Sequence, residues 1–256
     1  MPSRLNVRRR SFFTIAAVAV AAAALFAPTA SAVTGPRVTT MIAGKAGTLA
    51  GPVSAQAHAF VVPVGSAKRR CQVAAGTPLA AFKSTGLVFH MKDFGHCSMK
   101  TTDSAGLFVD RINSTSNSGT SGWSFKVNNR AGTAGAADPS GPFGAGPMAS
   151  GDKVLWFWCV FDANWACQRT LEVVVQPTAT QRQSVSISVR AYDDFGSWIP
   201  AKFTKVTLGS LSATTGIAGT VTIAAPAKAG RYPVRAADAL KGGIRPPAFP
   251  GSVLVG

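Results

Sequence analysis

The sequence is poor in acidic residues: ten aspartates and glutamates stand against 26 lysines and arginines, and Glu172 is the single glutamate. A glycosidase needs two carboxylates at a fixed separation, whereas the aspartates here fall mostly in predicted turns. The sequence also lacks a Gly-x-Ser-x-Gly elbow, a His-Glu-x-x-His zinc helix and a Gly-rich phosphate loop before a helix. We therefore predict that the chain is not an enzyme. An enzyme with an unrecognised site is the alternative.

Long hydrophobic runs are also scarce, and the only extended one covers residues 12–27. It is shorter than the roughly 20 apolar residues that cross a bilayer. Because it follows a basic start and precedes small residues, it is typical of a signal peptide over residues 1–32 that is cleaved after Ala32. An uncleaved membrane anchor is the alternative. Arg9 and Arg10 also fit a twin-arginine signal, so export by the Sec or the Tat route stays open.

Cysteine is rare, and its four copies all follow the predicted signal peptide: Cys71, Cys97, Cys159 and Cys167. Exported chains favour disulfides, and four cysteines allow three pairings. Cys159 and Cys167 flank a short loop between two strand-like runs, so a hairpin-closing bridge is the simplest prediction, and it leaves Cys71 to pair with Cys97. The sequence has no Cys-x-x-Cys pair, and its histidine spacing matches no zinc site. We therefore predict no metal site.

The excess of basic residues persists beyond the signal peptide. Residues 1–32 carry four arginines and no acid, so the formal charge falls only from +16 to +12 when they are removed. Such a charge favours nucleic acid, wall polymers of the teichoic type or anionic lipid headgroups. Nucleic acid is the least accessible of these to an exported protein, and no nucleic-acid-binding motif is present. A basic surface that is merely solvated is the alternative.

Short runs of Val, Ile, Thr and aromatic residues, separated by Gly and Pro, predict a mainly β fold. Thr77 followed by Pro78 predicts the start of one helix, and Gly86 its stop. Residues 176–183 differ in composition and are predicted to be a linker. Residues 184–190 alternate between polar and apolar side chains as a half-buried strand does. Further short strand candidates predict a C-terminal β-sandwich that is Ig-like in the loose sense.

The predicted organisation therefore comprises a signal peptide (1–32), a first α+β domain (33–175), a linker (176–183) and a C-terminal sandwich (184–256). The run over residues 154–161 is apolar throughout, which indicates a strand that is covered on both faces. A Gly-, Ala- and Pro-rich stretch before it predicts a long loop, and loops of that length are usually functional or mobile.

Two blocks carry a resemblance to a known family: Gly-Trp-Ser-Phe-Lys-Val-Asn at 122–128 and Gly-Asp-Lys-Val-Leu-Trp-Phe at 151–157. They resemble the DUF4430 family, which is similar to the small C-terminal β-domain of transcobalamin and intrinsic factor. The chain departs from the family pattern at Phe125, where Tyr is usual, and at Asn129, where Gly is usual. The resemblance covers about residues 36–175 and implies a β-grasp-like domain with one helix on a mixed sheet.

The C-terminal part resembles the Ig-like or carboxypeptidase-regulatory-like modules of secreted bacterial proteins, on the basis of residues 214–222 and 230–234. In the vitamin carriers, the β-domain that residues 36–175 resemble contacts cobalamin together with a helical domain that has no counterpart in this sequence. The resemblance therefore implies cobalamin as one hypothetical ligand, and otherwise no cofactor.

Aromatic side chains are the candidates for ligand contact: Trp123, Phe125, Trp156, Trp158 and Trp165. Aromatic faces offer a large contact area to a sugar or a flat ligand. Trp156 and Trp158 lie two residues apart in a predicted strand and so point to the same face; the alternative is that these tryptophans are core. Trp165 lies in the loop between the last two cysteines, and we predict that it is exposed and the best single contact residue.

These observations predict a secreted, extracellular or cell-wall-associated binding protein without catalytic activity, whose basic surface favours anionic wall polymers. The alternative is a carrier or sensor of a small ligand of the cobalamin type. No nucleic acid partner and no transmembrane segment are expected, and the oligomeric state stays open.

Overall fold

The computed structural model describes residues 34–66, 68–238 and 246–256. They all belong to one compact unit that spans Ala32–Gly256. The predicted signal peptide and its cleavage site lie outside the described residues. Where it is described, the protein is mainly β with one α-helix, which confirms the predicted fold class.

The elements are numbered in chain order. The strands are β1 (Arg37–Ala43), β2 (Thr48–Gln56), β3 (Phe60–Val64), β4 (Arg69–Val73), β5 (Phe89–Asp93), β6 (Leu107–Ile112), β7 (Thr115–Ser116), β8 (Ser121–Val127), β9 (Arg130–Ala131), β10 (Lys153–Val160), β11 (Thr170–Val175), β12 (Thr178–Ala179), β13 (Ser184–Tyr192), β14 (Trp198–Pro200), β15 (Lys205–Leu208), β16 (Leu211–Thr214), β17 (Thr220–Ala224), β18 (Gly230–Ala237), β19 (Ala248–Phe249) and β20 (Gly251–Val255). The helix α1 is Pro78–Lys83, and a 3-10 helix covers Thr101–Ser104.

The first sheet has five strands in the order β2-β1-β10-β8-β9. Strand β1 is antiparallel to its hairpin partner β2 and parallel to β10, which is the last of these strands in the chain. Strand β10 pairs antiparallel with β8 on its other side. The sheet is β-grasp-like, because it combines an initial hairpin, a crossover that contains the helix, and a final strand inserted beside the first.

Helix α1 begins where the sequence analysis places it. The Thr77 hydroxyl accepts a hydrogen bond from the backbone N–H of Ala80 at 3.2 Å, and Pro78 occupies the first turn. A Thr cap followed by Pro is a helix start signal. The helix packs on the first sheet through fully buried Phe82, whose ring lies edge-on to Trp156 of β10, with 5.2 Å between centroids.

Strand β10 is buried on both faces, as its continuous apolar run predicts. Trp156 and Trp158 point into the core cluster that contains the residues of α1. Leu155 and Phe157 point to the opposite face and pack in a second cluster with Phe249 of β19. The first sheet is therefore covered by the helix on one side and by part of the C-terminal region on the other.

A hairpin of β3 and β4 and a three-stranded sheet in the order β5-β6-β7 complete the N-terminal part. Cys71 of β4 is bonded to Cys97, which follows β5, so a disulfide joins these two small sheets. This pairing agrees with the prediction from the cysteine spacing.

The C-terminal part contains two five-stranded sheets. One has the order β14-β13-β11-β19 with β17 paired to β13, and the other has the order β12-β20-β18-β15-β16. Alternating residues of both sheets supply one aliphatic cluster, which includes Ile187 of β13, Leu208 of β15 and Val253 of β20. Two sheets that share one core in this way form a β-sandwich.

Strand pairing differs from the predicted domain boundary at residue 175. Strand β11 hydrogen-bonds to β13 and β19 of the sandwich, although the prediction assigns residues 170–175 to the first domain. The predicted linker contains β12, which pairs with β20. Strand β11 lies between β13 and β19 in the sandwich sheet, so the change between the two parts falls in residues 161–169.

The disulfide between Cys159 and Cys167 is present, as predicted. The hairpin predicted around it is wrong, because β10 pairs with β1 and β8 while β11 pairs with β13 and β19. The bridge therefore closes the connection between the first sheet and the sandwich.

Candidate functional site

Three of the predicted ligand-contact residues are core residues. The exposed fractions of Trp123, Trp156 and Trp158 are 4%, 2% and 3%. They pack in one cluster with α1 and with Ala137 and Met148 of the long loop, which cover this face of the sheet. The predicted exposed tryptophan surface is therefore corrected: burial of these large side chains by the helix and the loop makes it the core of the N-terminal part.

Part of that core nevertheless opens onto a cavity of about 400 Å³, which we call the aromatic groove. Its aromatic residues are Phe94, Phe108, Trp123, Phe125, Trp156 and Phe161. The groove lies between β8, the start of β6 and the loop around residues 134–136. The structure thus brings three predicted contact residues, Trp123, Phe125 and Trp156, to one concave surface together with three phenylalanines.

Trp165 is 73% exposed, which confirms the predicted exposure. Its loop is held by Asp162, whose carboxylate accepts hydrogen bonds from the backbone N–H groups of Asn164 and Ala166 at 2.8 and 3.0 Å. Trp165 has φ +60°, a conformation that bulky residues rarely adopt. Its ring lies 6.0 Å from that of Phe161, so the loop holds an indole beside one wall of the aromatic groove.

A second surface is the outer side of the sandwich sheet that contains β18, which we call the basic face. Lys205 of β15 and Arg231 and Arg235 of β18 are exposed there. Lys205 pairs with Ala237, two residues beyond Arg235 on the neighbouring strand. None of the five strands in this sheet contains an acidic residue.

The geometry of strands places these three cations in a row. Residues four apart in a strand are about 13 Å apart, which is the spacing of Arg231 and Arg235. Residues diagonal to each other on adjacent strands have side chains about 7–8 Å apart, which is the relation of Lys205 to Arg235. The row is therefore about 20 Å long and lies on one exposed face.

Lys126 of β8 is fully buried between the first sheet and the sandwich. Its ammonium lies 3.1 Å from the Asp194 carboxylate and donates hydrogen bonds to the carbonyls of Asp193 and Tyr192 at 2.8 and 3.3 Å and to the Thr170 hydroxyl at 3.3 Å. Burial lowers the pKa of Lys126, and the negative charge of Asp194 opposes that shift. Because all these partners belong to the C-terminal part, Lys126 fastens the two parts together.

Glu172 of β11 makes a second polar link between the parts. Its carboxylate accepts hydrogen bonds from the Lys153 ammonium at 2.7 Å and from the Asn129 side-chain amide at 2.8 Å. Burial raises the pKa of Glu172, but the hydrogen bond and charge of Lys153, together with hydrogen bonds from Asn129 and Tyr192, outweigh it, and the net pKa is lowered. The single glutamate of the chain therefore has a structural role in this geometry.

Two larger cavities, of about 730 and 630 Å³, lie against the C-terminal part. Residues of the N-terminal part also line them: Val160 and Asp162 line the first, and Thr39 and Met41 line the second. No ligand is assigned to them. In the described ranges, no group of three or more His, Cys, Asp or Glu side chains is arranged to hold a metal ion.

Sequence reasoning missed the basic face because its members lie in separate strands. The one available signal was the spacing of Arg231 and Arg235, which places them on the same side of an alternating strand. The contribution of Lys205 depends on strand register, which the sequence does not reveal.

Among the described residues, no helix has the length and apolar content needed to cross a bilayer. The two disulfides are compatible with an extracellular protein. Comparison with known proteins finds no matching family model, no matching curated protein and no matching solved structure. The DUF4430 resemblance and the cobalamin hypothesis therefore stay predictions.

Proposed function

We propose that the protein is a non-enzymatic, exported binding protein that attaches to an anionic polymer of the cell envelope through its basic face. The observation that carries this proposal is the row of Lys205, Arg235 and Arg231 on a sheet whose strands contain no acidic residue. A polymer with regularly spaced phosphates presents a complementary row of negative charge. Arginine suits such a partner because its planar guanidinium forms paired hydrogen bonds with phosphate oxygens.

Net charge alone does not distinguish the basic face, as the other sandwich sheet shows. There, Arg190 of β13 lies directly opposite Glu172 of β11 in the strand register, so a base has an acid as its cross-strand neighbour. On the N-terminal part, Arg69 and Lys153 likewise have acidic partners, Asp93 and Glu172. The basic face differs from these surfaces in the spacing of its cations and in the lack of acids within its strands.

The test compares two charge-reversal variants with the same change in net charge. Arg231→Glu/Arg235→Glu alters the basic face, and Arg70→Glu/Lys83→Glu alters bases of the N-terminal part. The probe is immobilised poly(glycerol phosphate), with neutral dextran as the reference. We expect the unaltered chain to bind the anionic polymer and to be released as salt rises, because screening weakens exposed charges beyond about 10 Å at 0.1 M salt.

The basic-face variant should bind at least about tenfold more weakly, which is about 1.4 kcal/mol. The control variant should stay within about twofold of the unaltered chain. Equal losses in both variants would attribute binding to net charge and would contradict the proposed face. Equal retention on dextran and on poly(glycerol phosphate) would contradict the anionic polymer.

A further inference from the structure

The aromatic groove has the size and chemistry of a small-ligand site. Its volume of about 400 Å³ lies within the range of about 300–1,000 Å³ that is typical of ligand pockets. None of the residues that line it is ionisable, although the chain carries a formal charge of +16. A charged ligand would find no counter-charge in the groove, so the lining favours an uncharged one.

Hydrogen bonds within the protein define how the groove presents its indoles. The Trp123 indole N–H donates to the Thr115 carbonyl at 2.9 Å, and the Trp156 indole N–H donates to the Pro78 carbonyl at 3.2 Å. Because both donors are already used, these largely buried side chains offer no hydrogen bond to a ligand. Recognition would depend on apolar contact and on aromatic stacking, which favours flat rings.

The rim of the groove contains exposed aromatic side chains. Phe94 is 76% exposed and lies edge-on to Phe108, with 5.9 Å between their ring centroids. At the wall formed by Phe161, the ring of Trp165 extends the aromatic surface outward. Clustered exposed apolar side chains usually mark interaction sites in soluble proteins.

The Trp165 side of the rim is held in place before any ligand arrives. The disulfide between Cys159 and Cys167 closes the loop, and the Asp162 carboxylate binds two of its backbone N–H groups. A rigid binding surface loses little conformational entropy when a ligand binds. The unusual backbone of Trp165 is thus maintained by contacts that keep its indole beside Phe161.

From these features the geometry points to a second binding site: the aromatic groove takes an uncharged molecule with a flat apolar ring system. The ring stacks against the phenylalanines of the groove, above the largely buried indoles of Trp123 and Trp156, while Phe94 and Trp165 cover its exposed side. This site is independent of the basic face, which lies on a different sheet and would bind by charge.

The test uses N-phenyl-1-naphthylamine, an uncharged flat probe whose fluorescence rises in apolar surroundings. The full chain is compared with Phe94→Ala, which removes part of the rim, and with Ala105→Trp, which places a large side chain in the groove. Phe203→Ala is the matched control, because Phe203 is similarly exposed, at 70%, but lies in the C-terminal part.

We expect the unaltered chain and Phe203→Ala to bind the probe with the same Kd, within about twofold. Phe94→Ala and Ala105→Trp should each raise the Kd about tenfold, and added salt should leave it unchanged. Absence of a fluorescence rise with the unaltered chain would overturn the site. So would a Kd that neither groove variant changes, or an equal loss in Phe203→Ala. Charge reversal on the basic face should leave probe binding intact, so the two proposals fail separately.

Discussion

The N-terminal part, which ends with β10, and the C-terminal sandwich, which begins with β11, fill their cores with different side chains. The first buries Trp123, Trp156 and Trp158 together with residues of α1, whereas the buried cluster of the sandwich consists of Val, Ile, Leu and Ala. Two sheets about 10 Å apart are filled well by branched aliphatic side chains. A sheet covered by a six-residue helix and a loop leaves a less regular space, which large aromatic rings fill.

The two parts also differ in where their charged residues lie. Nine of the ten acidic residues precede residue 195. Lys205 and Arg231 of the basic face therefore have no acidic residue close to them in sequence. The N-terminal part has an uncharged aromatic groove, and the sandwich has the basic face. A core rich in aromatic residues can thus leave apolar ring surface at a groove, whereas a well-filled aliphatic core leaves only the outer faces of its sheets for binding.

The largest expected effect concerns this contrast between cores. Trp156→Ala should lower the free energy of unfolding by about 4 kcal/mol, because it removes the largest fully buried side chain and leaves a cavity. Ile187→Ala in the sandwich should cost less, about 3 kcal/mol, since the lost volume is smaller. Guanidinium unfolding monitored by circular dichroism measures both. A larger loss in Ile187→Ala would show that the aliphatic core dominates stability.

The two disulfides allow a second comparison, because each stabilises the fold by restricting the unfolded chain. Cys71–Cys97 spans 26 residues and Cys159–Cys167 spans eight, so the loop-entropy model assigns them about 3.5 and about 2.5 kcal/mol. The double serine variants Cys71→Ser/Cys97→Ser and Cys159→Ser/Cys167→Ser should lose stability in that order in the same unfolding assay. The reverse order would mean that the bridge in the connection contributes more than loop closure, by holding the sandwich against the first sheet.

The smallest expected effect concerns the link at Glu172, whose pKa is lowered in the folded protein from 4.5. A carboxyl with a lowered pKa stabilises the fold above its unfolded value and loses that effect as the pH falls through its folded pKa. Glu172→Gln should therefore cost about 1 kcal/mol at neutral pH, and the difference should vanish in acid.

The partner of Glu172 supplies the control. Lys153→Met and the double variant complete a thermodynamic cycle, and the coupling energy should fall with the same pH dependence as the loss in Glu172→Gln. A pH-independent coupling would indicate that the contact acts through packing rather than charge.

Local features of the fold were predictable because their signals are local. Thr77 and Pro78 satisfy the first turn of a helix wherever it packs, so the position of α1 followed from two residues. The alternation in residues 184–190 likewise predicted a half-buried strand, and the apolar run over 154–161 a strand with two covered faces. The exposure of Trp165 followed from its place in a short loop.

The candidate sites were less predictable, because they depend on which distant residues become neighbours. The sequence pattern around Trp123 and Trp156 is the same whether a helix or a ligand covers that face of the sheet. Strand β11 could have paired with either part, and its partners in the sandwich moved the boundary. Nothing in the spacing of Lys126 marks it as buried, because its partners lie at least 44 residues further along the chain.

The scarcity of acidic residues, apparent from composition, thus determined that the surface would be basic. Composition and spacing also indicated β structure, one helix and two disulfides, since each depends on residues close in the chain or on their chemistry. Tertiary structure placed three cations in one row, turned three tryptophans into core and opened the groove beside them. Register and packing decide these outcomes, because they set distances between residues that the chain leaves far apart.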